Sequence, residues 1–273
     1  MDSAEVGKYI ESVAVRIGFH DGGSLAGTGV LYTLQTQNRA VVLTAGHVLQ
    51  RALAKSHSCP AVLSVWSESG AKDIFLELAD SSNDKAANIH YCPGFMIDSG
   101  KYIFDAAIIE VPWSDWMQDI PEIHFGEAKI SAQVKLMGFP KSTDSEATPT
   151  DGTRRRMSLS AETPTSADND KEKAFKYSYT SPNSYPIERD DLMSGYSGSG
   201  LFLCDAARPK LIGLVSQSYG SDNVGNVAWA VSSYALKLLL TEYGLVLKES
   251  EFENGLSTLA EGYPERPGIF LQD

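Results

Sequence analysis

The sequence has few cysteines and no long apolar run, and each shortage excludes a class of protein. Its three cysteines, Cys59, Cys92 and Cys204, form no CxxC pair and stand at no metal-ligand spacing from a histidine. Reduced thiols are therefore expected rather than a disulfide framework. No stretch approaches the ~18 apolar residues of a membrane helix. The first residues also lack the basic start and apolar run of a secretion signal, so we expect a cytoplasmic protein.

Basic residues are scarce as well. The chain has 23 Lys and Arg against 35 Asp and Glu, which gives a formal net charge of -12. Such a charge repels nucleic-acid phosphates and anionic membrane surfaces, so binding to either would need a local basic patch. The only candidate is the run of arginines at 154–156, which lies among Ser, Thr and Asp and is interpreted as a solvated strand or loop. Neither nucleic acid nor membrane is predicted as a partner.

Short segments rich in Val, Ile, Leu, Tyr and Phe recur along the chain, each bounded by Gly, Asn, Asp, Ser or Pro, which is typical of β-strands joined by turns. The predicted strands are 12–19, 28–34, 39–44, 61–66, 73–78, 102–111, 133–138, 174–180, 200–204 and 211–217. Only 232–243 indicates a helix, with Ser232 or Ser233 as its N-cap and Gly244 as its end. The sequence therefore predicts an all-β fold with a C-terminal helix.

The strand pattern is interrupted at 112–127, a stretch that contains two prolines and two tryptophans. We interpret it as the connection between two strand-rich domains, residues 1–118 and 119–244, which are followed by a tail at 245–273. Between 141 and 173 the composition shifts to Ser, Thr, Asp, Glu and Pro, which predicts long exposed loops around at most one strand.

Three sites carry residues suited to nucleophilic catalysis. A serine hydroxyl needs a base to take its proton and a third group to hold that base in one tautomer. His47 follows the strand 39–44 and two small residues, and it is the candidate general base. Asp105 interrupts an apolar segment, where its burial would be costly without a partner such as a histidine N–H. Ser197 lies among glycines that allow a tight turn, and the backbone N–H groups of Gly195 and Ser197 are candidate donors to an oxyanion.

These motifs resemble those of trypsin-like serine proteases. Thr44-Ala45-Gly46-His47 is similar to the histidine motif of that family, Asp105-Ala106-Ala107-Ile108-Ile109 to its aspartate strand, and Gly195-Tyr196-Ser197-Gly198-Ser199 to its nucleophile loop. All three motifs occur in the family's order, and the resemblance covers about residues 10–243. It implies an intracellular bacterial member with two perpendicular six-stranded antiparallel β-barrels. His47, Asp105 and Ser197 would form a triad in the cleft between them.

The order of His47, Asp105 and Ser197 along the chain distinguishes between the known classes of catalytic triad. His, Asp, Ser is the chymotrypsin order, whereas α/β-hydrolases place the histidine after the serine. All five histidines precede Phe125, which excludes the α/β-hydrolase order for Ser197. A subtilisin order of Asp105, His124 and Ser197 stays open but is disfavoured, because the strands do not alternate with helices. The histidines other than His47 are interpreted as structural or surface residues: His20, His57, His90 and His124.

The resemblance also implies a specificity pocket. The residue six positions before the nucleophile lies at the base of that pocket in the family, and here it is Asp191. A carboxylate there would select arginine or lysine, because a buried guanidinium forms charge-assisted hydrogen bonds with it. An exposed-loop position for Asp191 stays open as an alternative. The resemblance places the pocket walls at Ser216, Gln217, Ser218 and Gly225.

The function predicted from these residues is hydrolysis of peptide bonds, after Arg or Lys, by a serine endopeptidase that forms an acyl-enzyme. The substrate would be a protein or peptide, and no metal or organic cofactor is predicted because protein groups and water suffice. The resemblance further implies control by an associated sensor protein in a bacterial defence or quality-control system. The alternative is a catalytically silent, protease-like module that binds peptides or proteins in the same cleft.

Overall fold

The structure, a computed structural model, describes residues 3–19, 25–54, 58–67, 70–80, 87–92, 96–98, 101–103, 105–126, 132–139, 155–161, 184–188, 195–204, 208–219 and 227–245. Strands dominate these segments. The α-helices found there are α1 (Ser3–Val13), α2 (Gly46–Leu53) and α3 (Ser233–Glu242). Two short 3₁₀ helices span Gln35–Gln37 and Asp115–Asp119. None of the helices in the described segments is long and apolar enough to cross a membrane.

The first part of the chain forms an antiparallel sheet. The strands up to Val111 are β1 (Ala14–Phe19), β2 (Leu25–Leu34), β3 (Arg39–Thr44), β4 (Ser58–Ser67), β5 (Gly70–Ala79), β6 (Ile89–Tyr91), β7 (Met96–Asp98), β8 (Lys101–Ile103) and β9 (Ala107–Val111). Seven of them pair in the order β5-β4-β1-β2-β3-β9-β6, and this sheet curls into a half-barrel. Strands β7 and β8 form a separate two-stranded pair just before Asp105.

A second sheet is built from the later strands. They are β10 (His124–Phe125), β11 (Ala132–Gly138), β12 (Arg155–Ala161), β13 (Ser184–Glu188), β14 (Gly200–Leu203), β15 (Lys210–Tyr219) and β16 (Val227–Ser232). Their order is β10-β15-β14-β11-β12-β13-β16, and β16 also pairs with β15. The pairing therefore runs in a ring through β11 to β16, with the short β10 added in parallel to β15.

Helix α1 connects the two sheets. Its apolar residues Val6, Tyr9, Ile10 and Val13 are buried, and their i, i+3, i+4, i+7 spacing places them on one helix face. The Tyr9 hydroxyl donates to the Glu122 carbonyl at 2.9 Å, and the Tyr9 ring meets Phe202 of β14 edge-on at 5.9 Å. Helix α1 also packs on β2 and β4, so it contacts both sheets.

Other direct contacts join the sheets nearer their centre. Trp66 of β4 stacks on Phe139, the residue after β11, with ring centroids 4.8 Å apart. The backbone N–H of Thr28 in β2 donates to the Ser197 carbonyl at 2.9 Å. The loop that carries Ser197 is therefore held directly against the first sheet.

The observed strands agree with most of the predicted ones, but two of the observed helices were not predicted. Each predicted strand that falls on described residues corresponds to an observed strand, and 174–180 lies outside the described residues. The prediction at 102–111 was wrong in treating β8 and β9 as one strand, since Asp105 and Ala106 belong to neither. Helix α3 was predicted and is confirmed, and Gly244 after it adopts a φ of 71°. Helices α1 and α2 were not predicted.

Two six-stranded barrels are not confirmed. The first sheet has seven strands, and no pairing among the described residues joins its end strands β5 and β6. What the structure establishes is a mostly β fold with two large sheets. The domain boundaries at residues 118 and 244 remain predictions.

Candidate active site

His47 occupies the first turn of a short helix. Strand β3 ends at Thr44, Ala45 remains extended, and α2 begins at Gly46, so the imidazole projects from the junction between strand and helix. The His47 side chain is almost fully buried. Its backbone N–H, one of the groups at a helix N-terminus that lack an intrahelical partner, donates to Oδ1 of Asp105 at 2.8 Å. One carboxylate thus binds both the backbone and the side chain of His47.

Asp105 lies immediately before β9 and is only 1% exposed. Its second oxygen, Oδ2, lies 2.6 Å from Nδ1 of His47 and accepts a hydrogen bond from the Ser216 hydroxyl at 2.5 Å. A buried carboxylate is tolerated only when it is hydrogen-bonded, and these donors satisfy both oxygens. Because a carboxylate accepts, Nδ1 of His47 must carry the proton, which leaves the lone pair on Nε2 in the neutral ring.

Ser197 completes the chain of hydrogen bonds. Its Oγ lies 3.0 Å from Nε2 of His47 and 3.3 Å from the Ser216 carbonyl oxygen. With Nε2 unprotonated, the Ser197 hydroxyl donates to it. Ser197 is partly exposed, whereas His47 and Asp105 are buried. The structure therefore brings together three side chains that are separated by 58 and 150 positions in the sequence.

The loop around Ser197 is fixed by its own backbone. Gly198 donates to the Val215 carbonyl at 2.7 Å, Ser199 donates to the Tyr196 carbonyl at 2.9 Å, and Val215 donates to the Ser199 carbonyl at 2.9 Å. Gly198 has a φ of 87°, and a Cβ there would overlap the Thr28 carbonyl and the Thr44 hydroxyl. Only glycine allows this close approach.

The two candidate oxyanion donors lie in this loop. Gly195 adopts a φ of 104°, in the region that favours glycine. Among the described residues, the backbone N–H groups of Gly195 and Ser197 donate to no backbone carbonyl. Both N–H groups thus lie in the loop of the partly exposed serine, and their role as oxyanion donors stays a prediction.

Ser216, which the resemblance places in a pocket wall, makes a contact that the sequence did not predict. It is the extra residue of a β-bulge in β15, where the pairing with β16 jumps between Val215 and Gln217. Bulges redirect side chains, and here the Ser216 hydroxyl donates to Asp105. Its place in a pocket wall stays a prediction. The sequence signal for this role was weak, because a serine in an apolar strand has no fixed direction until the bulge is known.

The other predicted pocket residues are only partly described. The backbones of Gln217 and Ser218 pair with Trp229 and Ala228 of β16. Asp191 and Gly225 lie outside the described residues, as do His20 and His57.

Two of the remaining histidines lie away from this site. His90 contacts the ring of Tyr243 at a centroid distance of 3.8 Å, and His124 in β10 is 3.4 Å from Arg208.

The hydrogen-bonded arrangement of Asp105, His47 and Ser197 is compatible with a serine hydrolase. In comparisons with known proteins, no protein-family model matches the sequence, and neither does a curated protein.

Proposed function

We propose that this protein is a trypsin-like serine endopeptidase with a chymotrypsin-like double-barrel layout. The observation that carries the proposal is the continuous hydrogen-bonded path from Asp105 through His47 to Ser197. Such a path gives the serine a base and gives the base a fixed tautomer, which are the two requirements for an activated hydroxyl.

Acylation of the enzyme follows from this geometry. The Ser197 oxygen attacks the carbonyl carbon of the scissile peptide bond while its proton passes to Nε2 of His47. The carbonyl oxygen gains the negative charge and accepts hydrogen bonds from the N–H groups of Gly195 and Ser197. The C–N bond then breaks, the leaving amine takes the proton from His47, and the acyl group remains as an ester on Ser197.

Deacylation reverses the roles with water. A water molecule attacks the ester carbon and passes a proton to His47, and the second tetrahedral species collapses with return of that proton to Ser197. Asp105 takes no proton in either step: it orients the imidazole and stabilises the imidazolium that forms twice per cycle. The Ser216 hydroxyl donates to Oδ2 of Asp105, the oxygen that also binds Nδ1 of His47.

A fluorophosphonate probe tests this proposal directly. The serine oxygen displaces fluoride from phosphorus, so wild-type protein should become labelled at Ser197, and Ser197→Ala should not. His47→Ala should label at least ~10³-fold more slowly, because the hydroxyl loses its base. Intact-mass analysis and peptide mapping measure the label. A folded wild-type protein that stays unlabelled would reject the hydrolase and favour the peptide-binding module.

The substrate preference is a further part of the proposal. Asp191 at the base of the specificity pocket would select Arg or Lys, and the walls would be formed by Ser216, Gln217, Ser218 and Gly225. The Asp191→Ser variant should lose any preference for Arg and Lys, since the buried guanidinium would have no carboxylate partner. A peptide-library cleavage profile measures this, with Asp190→Ser as the matched control. Identical profiles for wild type and Asp191→Ser would reject the assignment.

The biological setting we propose is cytoplasmic, with a protein or peptide substrate and an associated sensor protein that controls activity in a bacterial defence or quality-control system. Support for this setting comes from the resemblance of the motifs around His47, Asp105 and Ser197.

A further inference from the structure

Thr28, a residue outside the three motifs, holds the loop of Ser197 at two points. It lies in β2, is 0% exposed, and its backbone N–H donates to the Ser197 carbonyl at 2.9 Å. Its hydroxyl donates to the Gly195 carbonyl at 2.8 Å. The two carbonyls that flank Tyr196 are therefore both bound by one residue of the first sheet.

The direction of the Thr28 hydroxyl is fixed by a third group. The backbone N–H of Phe139 donates to Oγ1 of Thr28 at 3.1 Å, so this oxygen already acts as an acceptor. A hydroxyl has a single proton, and the Gly195 carbonyl can only accept it. In this hydrogen bond the Thr28 hydroxyl must therefore be the donor and the Gly195 carbonyl the acceptor.

The backbone of Thr28 is anchored as well. The Thr44 hydroxyl donates to the Thr28 carbonyl at 2.7 Å, and Gly198 packs directly against the same carbonyl. Thr44 ends the strand that leads to His47. Thr28 is thus connected both to the histidine segment and to the serine loop.

The two oxyanion donors differ in how they are held. The N–H of Ser197 shares a planar peptide with the Tyr196 carbonyl, which accepts from Ser199, so that peptide cannot rotate freely. The N–H of Gly195 lies in the peptide that precedes Gly195, and its direction relative to the Gly195 carbonyl is set by the φ and ψ of Gly195. Glycine adopts positive or negative φ with little penalty, so this direction needs an anchor on either side. Within the described residues, the hydrogen bond that restrains Gly195 on its carbonyl side comes from Thr28.

We propose that Thr28 is a positioning residue whose hydroxyl, by binding the Gly195 carbonyl, keeps the Gly195 N–H aimed at the oxyanion. This inference rests on the proposed function. Thr28 should therefore affect the stability of the transition state, in which the substrate oxygen carries negative charge. It should not affect proton transfer from Ser197 to His47.

The sharpest test compares two variants that differ by one oxygen atom, Thr28→Ser and Thr28→Ala. Both lack the methyl group, but only Thr28→Ser retains the donor to Gly195. The rate constant of fluorophosphonate labelling is measured against pH. At the high-pH plateau, the labelling rate constant of Thr28→Ser should stay within ~3-fold of wild type, and that of Thr28→Ala should fall ~10- to 100-fold. This decrease is smaller than the one caused by complete removal of an oxyanion donor. The pH midpoint should be unchanged, because the contacts of His47 remain.

Thr33→Val provides the matched control. Thr33 is a buried threonine of the same strand, and its hydroxyl has no hydrogen-bond partner in the described part of the structure, so its loss should leave labelling unchanged. If Thr28→Ala fails to fold, Thr28→Val replaces it, since Val fills the same volume without the donor.

Three outcomes overturn the inference in distinguishable ways. Equal plateaus for wild type, Thr28→Ser and the hydroxyl-free variant reject it while the proposed function stands. A lower plateau accompanied by a shifted pH midpoint rejects it in favour of a general disturbance of His47. Absence of labelling in folded wild type rejects the proposed function and this inference with it.

Discussion

At the scale of single residues, Asp105 has the most constrained surroundings in the site. Its two buried oxygens receive the His47 backbone N–H, the His47 ring and the Ser216 hydroxyl. Each hydrogen bond to a charged group contributes about 1.5–3 kcal/mol to stability. Burial of this carboxylate is therefore possible only because both sheets supply donors.

The Ser216→Ala variant should lower the free energy of unfolding by about 1–3 kcal/mol, because Asp105 loses one of its buried donors. Fluorophosphonate labelling should slow but persist, since both contacts of Asp105 with His47 remain. Urea unfolding followed by tryptophan fluorescence measures the stability. Ser199→Ala is the control: the buried Ser199 hydroxyl has no partner among the described residues, so its removal should be neutral or stabilising. Equal effects of the two substitutions would contradict this account of Ser216.

At the scale of elements, α3 and the residue after it pack against β6 and Cys92 of the first sheet. The ring of Tyr243, just after α3, meets the ring of His90 in β6, and the Cys92 thiol contacts the Ala235 carbonyl at 3.8 Å. Burial, with a further contribution from Glu110, raises the pKa of Tyr243 to about 12. Burial also lowers the pKa of His90, opposed by Glu110, so the neutral imidazole is the form that fits this contact.

This packing predicts a loss of stability in acid. The unfolded chain has the ordinary histidine pKa of about 6.5, while that of folded His90 is lower, so the unfolded state binds the proton first as the pH falls. The free energy of unfolding should therefore decrease as the pH falls below about 6.5. The decrease should be smaller in His90→Phe, which keeps a ring against Tyr243. Urea titrations at pH 5 and pH 8 measure both proteins, and identical decreases would contradict the role of His90.

At the scale of the whole molecule, the candidate site exists only where the two sheets meet. His47 and Asp105 lie at the ends of strands β3 and β9 of the first sheet, whereas Ser197 lies in the loop before β14 and Ser216 lies in β15 of the second. The hydrogen bonds of Thr28 and the stacking of Trp66 on Phe139 join the sheets close to this point. The alignment of Ser197 with His47 is therefore set by packing between sheets and not by local structure in either one.

The sequence by itself determined the strand-rich character and the candidate residues. Apolar segments bounded by turn residues locate strands such as β3 and β14, and the chemistry of nucleophilic catalysis singles out His47, Asp105 and Ser197. Helix α1 could also have been found, because Val6, Tyr9, Ile10 and Val13 carry a helical spacing. These signals are local, so a single sequence can display them.

Only the tertiary structure decided how these residues meet. The bulge at Ser216 directs its hydroxyl to Asp105, and Asp105 leaves the strand in which the sequence placed it. Thr28 carries no local signal, since a threonine in a strand is ordinary. Its role arises from hydrogen bonds to Gly195, Phe139 and Ser197, which lie more than 100 positions away. Contacts of that range depend on how the sheets pack, which no local pattern specifies.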